Sequence, residues 1–448
     1  MTNNTREIIL GILLSINRDG EKSHLAIRNT LDKYQYLSRQ DRAFIARVCE
    51  GTIEQMIYID YIINQFSSVK VEKMKPVIQN ILRSAVYQIR FMDTVPASAA
   101  CNEAVKLAQK KGFYSLKNFV NGVLRSVSRG IDQVEYPDKA NLIEYLSVRY
   151  SMPEWMVERW INEFGREATE WMLRDFLKTH PMTVRFKTSN IEKQDIIDSL
   201  EEQGVTVNQG PYLPYAYEIG DYNYLQSLDA FKKGWIYVQD VSSMLVAEVA
   251  DPKPGDYVVD LCAAPGGKSL HVSDKMGDFG MVEARDLTES KVALIQENIH
   301  RLNLINVTAK QADATTYDGG LEAKADIVLA DVPCSGMGVI GKKPDIKYNL
   351  TELQLEELMI LQRKILHNAA AYVKPGGTLI YSTCTIGSQE NQKNVEWFVE
   401  NYPFKLESLD PYLPEELHSS STKKGYLQLL PGIHKTDGFF LARLKKGE

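Results

Sequence analysis

The sequence predicts a multidomain protein with an all-α N-terminal part, a small α+β region and a C-terminal α/β domain built on a parallel sheet. Three observations predict this fold class. Apolar residues recur at helical spacing through residues 1–130, a strand, a helix and a strand follow over 182–207, and strands alternate with helices from Gly255 onward. A chain of 448 residues is long enough for about three domains of ordinary size. The predicted boundaries are 1–130, 141–233 and 234–448.

The N-terminal part is predicted to be helical because it contains no convincing alternation of apolar and polar residues, which would indicate a strand. One of its helices begins at Asp41, a plausible N-cap, and ends at Gly51. A linker follows over 130–139, since Gly130 and Pro137 interrupt the helical pattern. The predicted helices cover residues 5–17, 24–32, 41–51, 60–66, 77–91, 97–111 and 116–126.

The central and C-terminal parts contain the predicted strands. A helical stretch over 141–164 precedes a strand, a helix and a strand over 182–187, 191–203 and 205–207. Beyond Gly255 the predicted strands cover 257–261, 280–285, 306–310, 325–330 and 378–382, and the helices cover 269–276, 291–301, 351–373 and 391–400. This alternation is typical of a parallel sheet with helices on both faces.

The composition describes a soluble globular protein, with 44% hydrophobic and 25% charged residues. No run of about 18 apolar residues predicts a membrane span, and the first residues lead into a helix with polar positions rather than a signal peptide. Five cysteines do not make a disulfide framework in so long a chain, and no Cys/His spacing predicts a metal site. A reducing cytoplasm fits this composition.

The charge is distributed unevenly along the chain. Residues 1–130 carry 19 Lys and Arg against 11 Asp and Glu, a net charge of +8, whereas the remainder carries 33 against 47, a net charge of −14. Such asymmetry suggests that the N-terminal part binds a polyanion. The alternative is a solvated helical surface that happens to be rich in lysine.

A glycine-containing turn follows the first strand of the C-terminal domain. It reads Asp260-Leu-Cys-Ala-Ala-Pro-Gly-Gly-Lys268 and precedes a helix. Gly266 and Gly267 have no Cβ atom, so the chain can turn sharply there and a nucleotide-like ligand can approach the backbone. Pro265 stiffens the turn because its ring fixes φ. An ordinary strand–helix turn is the alternative.

Two cysteine-containing stretches follow later strands, Ala330-Asp-Val-Pro-Cys-Ser-Gly336 and Tyr381-Ser-Thr-Cys-Thr385. Together with the turn, and in this order, they resemble the RNA cytosine-5 methyltransferases of the Nol/Nop/Sun family. The resemblance covers nearly the whole chain. In the N-terminal part, Ser38-Arg-Gln-Asp-Arg42 and Asn118-Phe-Val-Asn-Gly-Val-Leu-Arg125 resemble recurring stretches of NusB-type helical RNA-binding domains. The Nol/Nop/Sun resemblance implies a Rossmann-like methyltransferase domain at the C-terminus. It also implies that residues 438–444 form the antiparallel edge strand of that domain.

The resemblance implies S-adenosyl-L-methionine as the cofactor. Asp286 follows the second strand of the sheet, where an acidic residue can hold ribose hydroxyls. Asp240, Ser242 and Ser243 resemble a family segment that packs beside the cofactor, although a helix cap before 244–249 is at least as good an interpretation. NAD is the competing ligand, but the turn lacks its glycine spacing and hydride transfer would leave both cysteines unused. The implied cofactor contacts are Cys262, Ala263, Ala264, Pro265, Gly266, Gly267, Lys268, Asp286, Asp313 and Asp331.

The resemblance also assigns roles to the cysteines. Carbon 5 of cytosine is a poor nucleophile until a thiolate adds to carbon 6, and cysteine is well suited to that addition. Cys384 is the implied nucleophile and Cys334 assists its release. Asp331 is implied to hydrogen-bond the edge of the cytosine.

The N-terminal domain narrows the implied substrate. Within the family it accompanies the RsmB type, which methylates 16S ribosomal RNA. A tRNA cytosine-5 methyltransferase and a NusB-like assembly factor without activity remain alternatives. The protein is expected to act as a monomer. Candidate phosphate contacts are Arg42, Lys110, Lys111, Lys117 and Arg125, each of which could also be an ordinary solvated charge.

Overall fold

A computed structural model describes residues 5–187, 189, 191–277 and 279–448, so the first four residues of the predicted polar start lie outside it. The chain folds into two compact units. The first contains Met1–Lys178 and Ile340–Asn349, and the second contains Thr179–Val339 and Leu350–Glu448. The predicted domains 1–130, 141–233 and 234–448 were defined by their kind of secondary structure, whereas the two units are defined by compactness. The predicted boundaries therefore stay a prediction.

The first unit is helical. Its helices are α1 (Thr5–Asn17), α2 (Ser23–Lys33), α3 (Arg39–Glu54), α4 (Met56–Phe66), α5 (Pro76–Phe91), α6 (Ala97–Lys110), α7 (Lys117–Gly130), α8 (Leu142–Tyr150), α9 (Glu154–Phe164), α10 (Arg166–Asp175) and, from the second segment, α16 (Ile346–Asn349). Apolar faces of α1, α3, α5 and α7 meet in one core, in which Leu13, Ile45, Leu82 and Leu124 are fully buried. Burial of these faces, more than intrinsic propensity, stabilises the helices.

The predicted ends of α3 were both wrong. Its N-cap is Ser38, whose hydroxyl accepts a hydrogen bond from the backbone N–H of Asp41 at 3.1 Å. At the other end the helix continues through Gly51 to Glu54. Glycine is required there because a Cβ atom at Gly51 would lie 2.1 Å from the ring of Tyr87. Gly51 therefore makes room for a packed ring and does not end the helix.

The stretch predicted as helical over 141–164 forms two helices. Ser151 adopts a left-handed conformation, with φ of 51°, and separates α8 from α9. A third helix, α10, is absent from the sequence prediction. Asn141 is the N-cap of α8 and accepts from the N–H of Glu144.

The segment Ile340–Asn349 belongs to the first unit although it follows the Cys334 stretch in the chain. Lys347 is buried, and its Nζ donates hydrogen bonds to the backbone carbonyls of Glu54 at 2.8 Å and Ser151 at 2.6 Å. Burial lowers the pKa of Lys347 to about 7, against the attraction of Glu54. Tyr348 donates to the carbonyl of Ile53 at 2.8 Å. These buried polar contacts hold the segment in the helical unit.

The second unit begins with a small antiparallel sheet of order β2-β3-β1-β4. Its elements are β1 (Met182–Phe186), α11 (Lys193–Glu201), β2 (Thr206–Gln209), β3 (Ala216–Gly220), α12 (Asp229–Lys232) and β4 (Ile236–Val238). The predicted strand, helix and strand correspond to β1, α11 and β2. Val184, Phe186, Leu200 and Ile219 share its apolar core.

The large sheet has the order β10-β12-β9-β8-β5-β6-β7, with β11 paired to β12. From β9 to β7 the strands are parallel. The elements are α13 (Val241–Ala250), β5 (Tyr257–Asp260), α14 (Gly267–Lys275), β6 (Met281–Asp286), α15 (Glu289–Leu302), β7 (Val307–Gln311), β8 (Ala325–Asp331), α17 (Glu352–Tyr372), β9 (Val373–Thr383), α18 (Gln392–Asn401), β10 (Phe404–Leu406), α19 (Ser420–Lys424), β11 (Tyr426–Leu429) and β12 (Phe439–Lys446). Two apolar cores cover its faces, as predicted for a doubly wound sheet.

One expectation about this sheet was wrong. The last strand, β12, is antiparallel to β9 but does not form the edge, because β10 pairs with its other side. The prediction of an all-α part, an α+β region and an α/β domain is confirmed. Among the described residues, no helix is both long and apolar enough to cross a membrane.

Candidate active site

The two cysteines predicted from the motifs come together beyond the ends of two adjacent parallel strands. Asp331, the last residue of β8, pairs with Ser382 of β9. Cys334 and Cys384 follow these partners, and their Sγ atoms lie 3.3 Å apart. Both thiols are partly buried and reduced. Because the carboxyl ends of neighbouring parallel strands meet at one edge, the sheet itself creates this proximity.

The two cysteine loops are joined by backbone hydrogen bonds. Val332 N–H donates to Ser382 O at 3.1 Å, and Gly338 N–H donates to Cys384 O at 3.1 Å. The hydrogen bond to the Cys384 sulfur, followed by burial, raises the pKa of the Cys334 thiol well above its ordinary value. The contact with Cys384 and burial therefore disfavour a thiolate at Cys334.

Both carboxylate oxygens of Asp331 accept hydrogen bonds. Lys268 Nζ lies 2.7 Å from Asp331 Oδ2, and Ser382 Oγ donates to Oδ1 at 2.7 Å. Burial alone would lower the pKa of Lys268, but the attraction and hydrogen bond of Asp331 outweigh it and raise that pKa. Lys268 thus carries a positive charge beside Asp331, and its Nζ also lies 5.3 Å from the centre of the Phe439 ring.

The turn between β5 and α14 has the predicted geometry. Gly266 adopts φ of 107°, a conformation that favours glycine, and Gly267 begins α14. Cys262, in the same turn, is a poor nucleophile because burial, chiefly, raises the pKa of its thiol. The buried carboxyl of Asp260 accepts from Ser269 Oγ at 2.5 Å.

Asp286 supports this turn from the end of β6. Its Oδ2 accepts from Ala264 N–H at 2.9 Å, and its Oδ1 accepts from Leu287 N–H at 2.7 Å and lies 2.9 Å from Lys291 Nζ. A carboxylate has about four acceptor positions. Three are used here, which leaves one acceptor position on a side chain that is only 4% exposed.

Asp313 follows β7 and is less confined. Its Oδ1 accepts from the backbone N–H and the hydroxyl of Thr315 at 2.8 and 2.7 Å. These hydrogen bonds lower the pKa of Asp313, so it is ionised near neutral pH. Asp240, the residue with two open interpretations, is the N-cap of α13 and accepts from Ser242 N–H at 3.0 Å. Its role as a helix cap is confirmed.

The basic residues predicted to contact phosphate differ in their surroundings. Lys110 and Lys111 both form ion pairs with Glu7, with distances from Nζ to the carboxylate of 2.6 and 2.8 Å. Lys117 Nζ lies 4.1 Å from the centre of the exposed Tyr114 ring. The side chains of Arg42 and Arg125 are half-buried and exposed, respectively. Their contacts with RNA stay a prediction.

Sequence reasoning missed Glu390 and Asn391, which are buried behind the cysteines. The available signal was a Glu-Asn pair six residues after Cys384, directly before α18. Across the described ranges, no group of three or more His, Cys, Asp or Glu residues could hold a metal ion.

Comparison with known proteins identifies all three parts. Residues 3–129 match the NusB family, 152–221 match the ferredoxin-like domain of RsmF/B-like methyltransferases, and 247–445 match the family described as 16S rRNA methyltransferase RsmB/F. The first two matches and the Rossmann-like sheet confirm the predicted domain types.

A probable ribosomal RNA small subunit methyltransferase B of Bacillus subtilis is 35% identical over 98% of both chains. The crystal structure of PH0851 aligns over 100% of both chains, with 29% identity and a TM-score of 0.83. A crystal structure of NSun6 from Pyrococcus horikoshii with SFG covers 66% of this chain and 98% of its own, with 25% identity and a TM-score of 0.59. On these grounds the chain belongs to the RsmB/F family of 16S rRNA methyltransferases.

Proposed function

We propose that this protein methylates carbon 5 of a cytosine in 16S ribosomal RNA through a covalent adduct between Cys384 and carbon 6. The observation that carries the proposal is the 3.3 Å distance between the Cys334 and Cys384 sulfurs, beside Asp331 and Lys268. A single reactive cysteine would serve many reactions. Two thiols in contact, of which one keeps its proton, suit a reaction in which a sulfur must both attack and leave.

The cofactor is S-adenosyl-L-methionine, which supplies the methyl group when bound. The residues around the turn fit it. Asp286 has acceptor capacity left for a ribose hydroxyl, the ionised Asp313 adds a second acceptor near the next strand end, and the turn 262–268 leaves backbone close to the ligand. The NSun6 structure with SFG has a comparable fold, which supports the assignment.

The reaction begins with Cys384. Its thiolate forms a bond to carbon 6 of the cytosine, which breaks the aromaticity of the ring and makes carbon 5 electron-rich. As the adduct forms, N3 of the base takes up a proton from solvent and donates a hydrogen bond to the Asp331 carboxylate, and it returns that proton to solvent when the adduct breaks down. Lys268 keeps positive charge beside that carboxylate. Carbon 5 then bonds to the methyl group with its own electron pair, and the methyl–sulfur bond of the bound cofactor would break with its electrons left on the sulfur.

The release step involves Cys334. The carbon 5 proton passes to solvent, the ring double bond re-forms, and the bond between carbon 6 and the Cys384 sulfur breaks. The departing sulfur takes the electron pair as a thiolate. Cys334 stabilises it by donating its S–H across the 3.3 Å contact.

Two findings support ribosomal RNA as the substrate: the description of a relative and the family match of the N-terminal helices. The relative in Bacillus subtilis is described as a small-subunit ribosomal RNA methyltransferase, and the NusB match supports RNA binding by residues 3–129. A cytosine must leave its stack to reach sulfurs at a strand end, and unstacking costs least in a loop. A cytoplasmic location, where thiols remain reduced, is consistent with this chemistry.

Replacement of each cysteine tests the mechanism. We expect Cys384→Ala to abolish 5-methylcytosine formation and to form no covalent protein–RNA species, because the attacking sulfur is gone. We expect Cys334→Ala to accumulate such a species when RNA and S-adenosyl-L-methionine are both present, since release is slow. Denaturing electrophoresis of labelled 16S RNA measures it.

Cys101→Ala is the control, because this buried thiol lies in the first unit. It should behave like the unmodified protein. An adduct in Cys384→Ala but not in Cys334→Ala would reverse the two roles. If neither variant traps RNA and both still methylate it, the covalent mechanism is wrong.

A further inference from the structure

A carboxylate without exposure to solvent lies behind the two sulfurs. Glu390 is 1% exposed, and its contacts are with neutral donors. Its Oε1 accepts from the backbone N–H of Ser335 and from Gln362 Nε2, both at 2.9 Å, and its Oε2 accepts from Ser335 Oγ at 2.5 Å. Burial of a carboxylate is costly unless hydrogen bonds satisfy it. A purely structural role could be filled by a neutral side chain at lower cost.

Hydrogen bonds fix the residue before Cys334 and the residue after it. Glu390 holds Ser335, the residue after the cysteine. Gln362 Nε2, which also donates to Glu390, donates to the carbonyl of Pro333 at 2.9 Å, the residue before it. Glu390 and Gln362 thus hold both neighbours of the thiol.

The neighbouring Asn391 holds the second cysteine in the same manner. Its Oδ1 accepts from Thr383 Oγ1 at 2.6 Å, and its Nδ2 donates to the carbonyl of Thr385 at 3.0 Å. Thr383 and Thr385 flank Cys384. One dipeptide at the start of α18 therefore fixes the chain around both cysteines.

A hydroxyl contact joins the two loops directly. Ser335 Oγ and Thr385 Oγ1 lie 2.7 Å apart. Because the single hydroxyl hydrogen of Ser335 is donated to Glu390, Thr385 must donate to Ser335. The carboxylate consequently sets the direction of a chain of hydrogen bonds that links one cysteine loop to the other.

We propose that Glu390 is a positioning residue that holds the Cys334 thiol against the Cys384 sulfur for the release step. This inference rests on the proposed cytosine-5 reaction and adds to it the group that orients its second cysteine. The negative charge of Glu390 also contributes to the raised pKa of Cys334, after the effects of Cys384 and burial. A glutamine in its place would turn an N–H₂ group toward donors and would remove that charge.

The test compares Glu390→Gln with Glu400→Gln, an exposed glutamate of α18. We expect Glu390→Gln to lower steady-state turnover by about ten- to hundredfold, the effect of a small misplacement of a catalytic group. The rate of the first methyl transfer should change much less, and a protein–RNA adduct should accumulate. Glu400→Gln should do neither. Ser335→Ala removes one of the three contacts and should show the same pattern more weakly.

A second readout needs no RNA. The pH dependence of Cys334 alkylation by iodoacetamide, followed by mass spectrometry, should move to lower pH in Glu390→Gln because a nearby negative charge is lost. A merely loosened loop would raise reactivity at all pH values without moving the profile.

The inference is overturned if Glu390→Gln turns over like the unmodified protein, or if its first methyl transfer slows as much as turnover without any adduct. An unchanged alkylation profile in a folded variant would also overturn it. Failure of the proposed function looks different, because then Cys334→Ala would trap no RNA and the unmodified protein would form no 5-methylcytosine.

Discussion

Asp260, at the end of β5, is a buried carboxyl group whose protonation state affects the stability of the folded protein. Its carboxyl is fully buried, and burial, opposed by the hydrogen bond from Ser269, raises its pKa from 3.8 to about 7. Between these two values the folded protein keeps a proton that the unfolded chain loses. The contribution of Asp260 to stability is therefore fully present below about pH 4 and is lost as the pH rises through 7.

Asp260→Asn should accordingly stabilise the protein at pH 8 and not at pH 4. The difference can reach about 4 kcal/mol, since each unit of pKa corresponds to about 1.4 kcal/mol. An asparagine can still accept from Cys262 N–H and donate to the Ser269 hydroxyl, so packing is retained. Urea unfolding at several pH values measures the effect.

The exposed Asp195→Asn serves as the control and should leave the pH dependence unchanged. Parallel stability curves for Asp260→Asn and the unmodified protein between pH 4 and 8 would contradict the assigned protonation state.

Among single residues, the sequence motifs predicted the site residues that lie at or near the strand ends. Cys334, Cys384, Asp331 and Lys268 were each found from their local sequence, and all four lie together. Glu390 could not be found in that way. A glutamate before a helix is usually exposed, and only the long-range contacts with Ser335 and Gln362 bury it.

At the scale of elements, the loop after β8 must approach β12 and the end of β9 very closely. Gly338 N–H donates to Cys384 O, and Gly338 O accepts from Gly438 N–H at 2.9 Å. A Cβ atom at Gly338 would lie 2.0 Å from Gly438 O and 2.8 Å from Cys384 O. These neighbours are backbone atoms, which cannot move without displacing a strand or a cysteine.

Gly338→Ala should therefore lower 5-methylcytosine formation at least about tenfold, because a displacement of the Cys384 segment misaligns the attacking sulfur. It should also destabilise the protein by about 1–3 kcal/mol, as overpacking does. Rate assays and thermal unfolding measure the two effects.

Gly319→Ala is a matched control, since its Cβ atom would meet Tyr317 only at an ordinary 3.7 Å. Full activity of Gly338→Ala at an unchanged melting temperature would show that the loop has more room than its backbone contacts indicate.

The sequence predicted the longer elements well because their apolar periodicity is strong. Helix α1 was predicted with the observed bounds, and the strands β5 to β9 were all found. The three residues of β10 are too few for a period to be visible, whereas β3 was missed although it is as long as β1. The place of Ile340–Asn349 in the first unit depends on the buried hydrogen bonds of Lys347, which no local pattern shows.

At the scale of the whole molecule, the net charge of −6 conceals a division of labour. Residues 1–130, which contain the helices that match the NusB family, carry a net charge of +8, whereas residues 131–448 carry the remaining −14. Contacts between lysine or arginine and phosphate release counterions, so RNA affinity should fall with salt by a slope of roughly −0.7 per contact on single strands. Each lost contact should reduce the slope by that amount.

Arg125→Ala should thus weaken RNA binding and reduce the salt slope by about 0.7, because its side chain is exposed on α7. Lys110→Ala should reduce the slope less, since Lys110 already lies on Glu7 and part of its charge is compensated. Fluorescence anisotropy at several salt concentrations measures both.

Lys424→Ala, which replaces an exposed lysine of α19, is the control and should leave the slope unchanged. Equal slopes for Arg125→Ala and Lys424→Ala would place the phosphate contacts elsewhere, because a residue that touches no phosphate releases no counterion when it is removed.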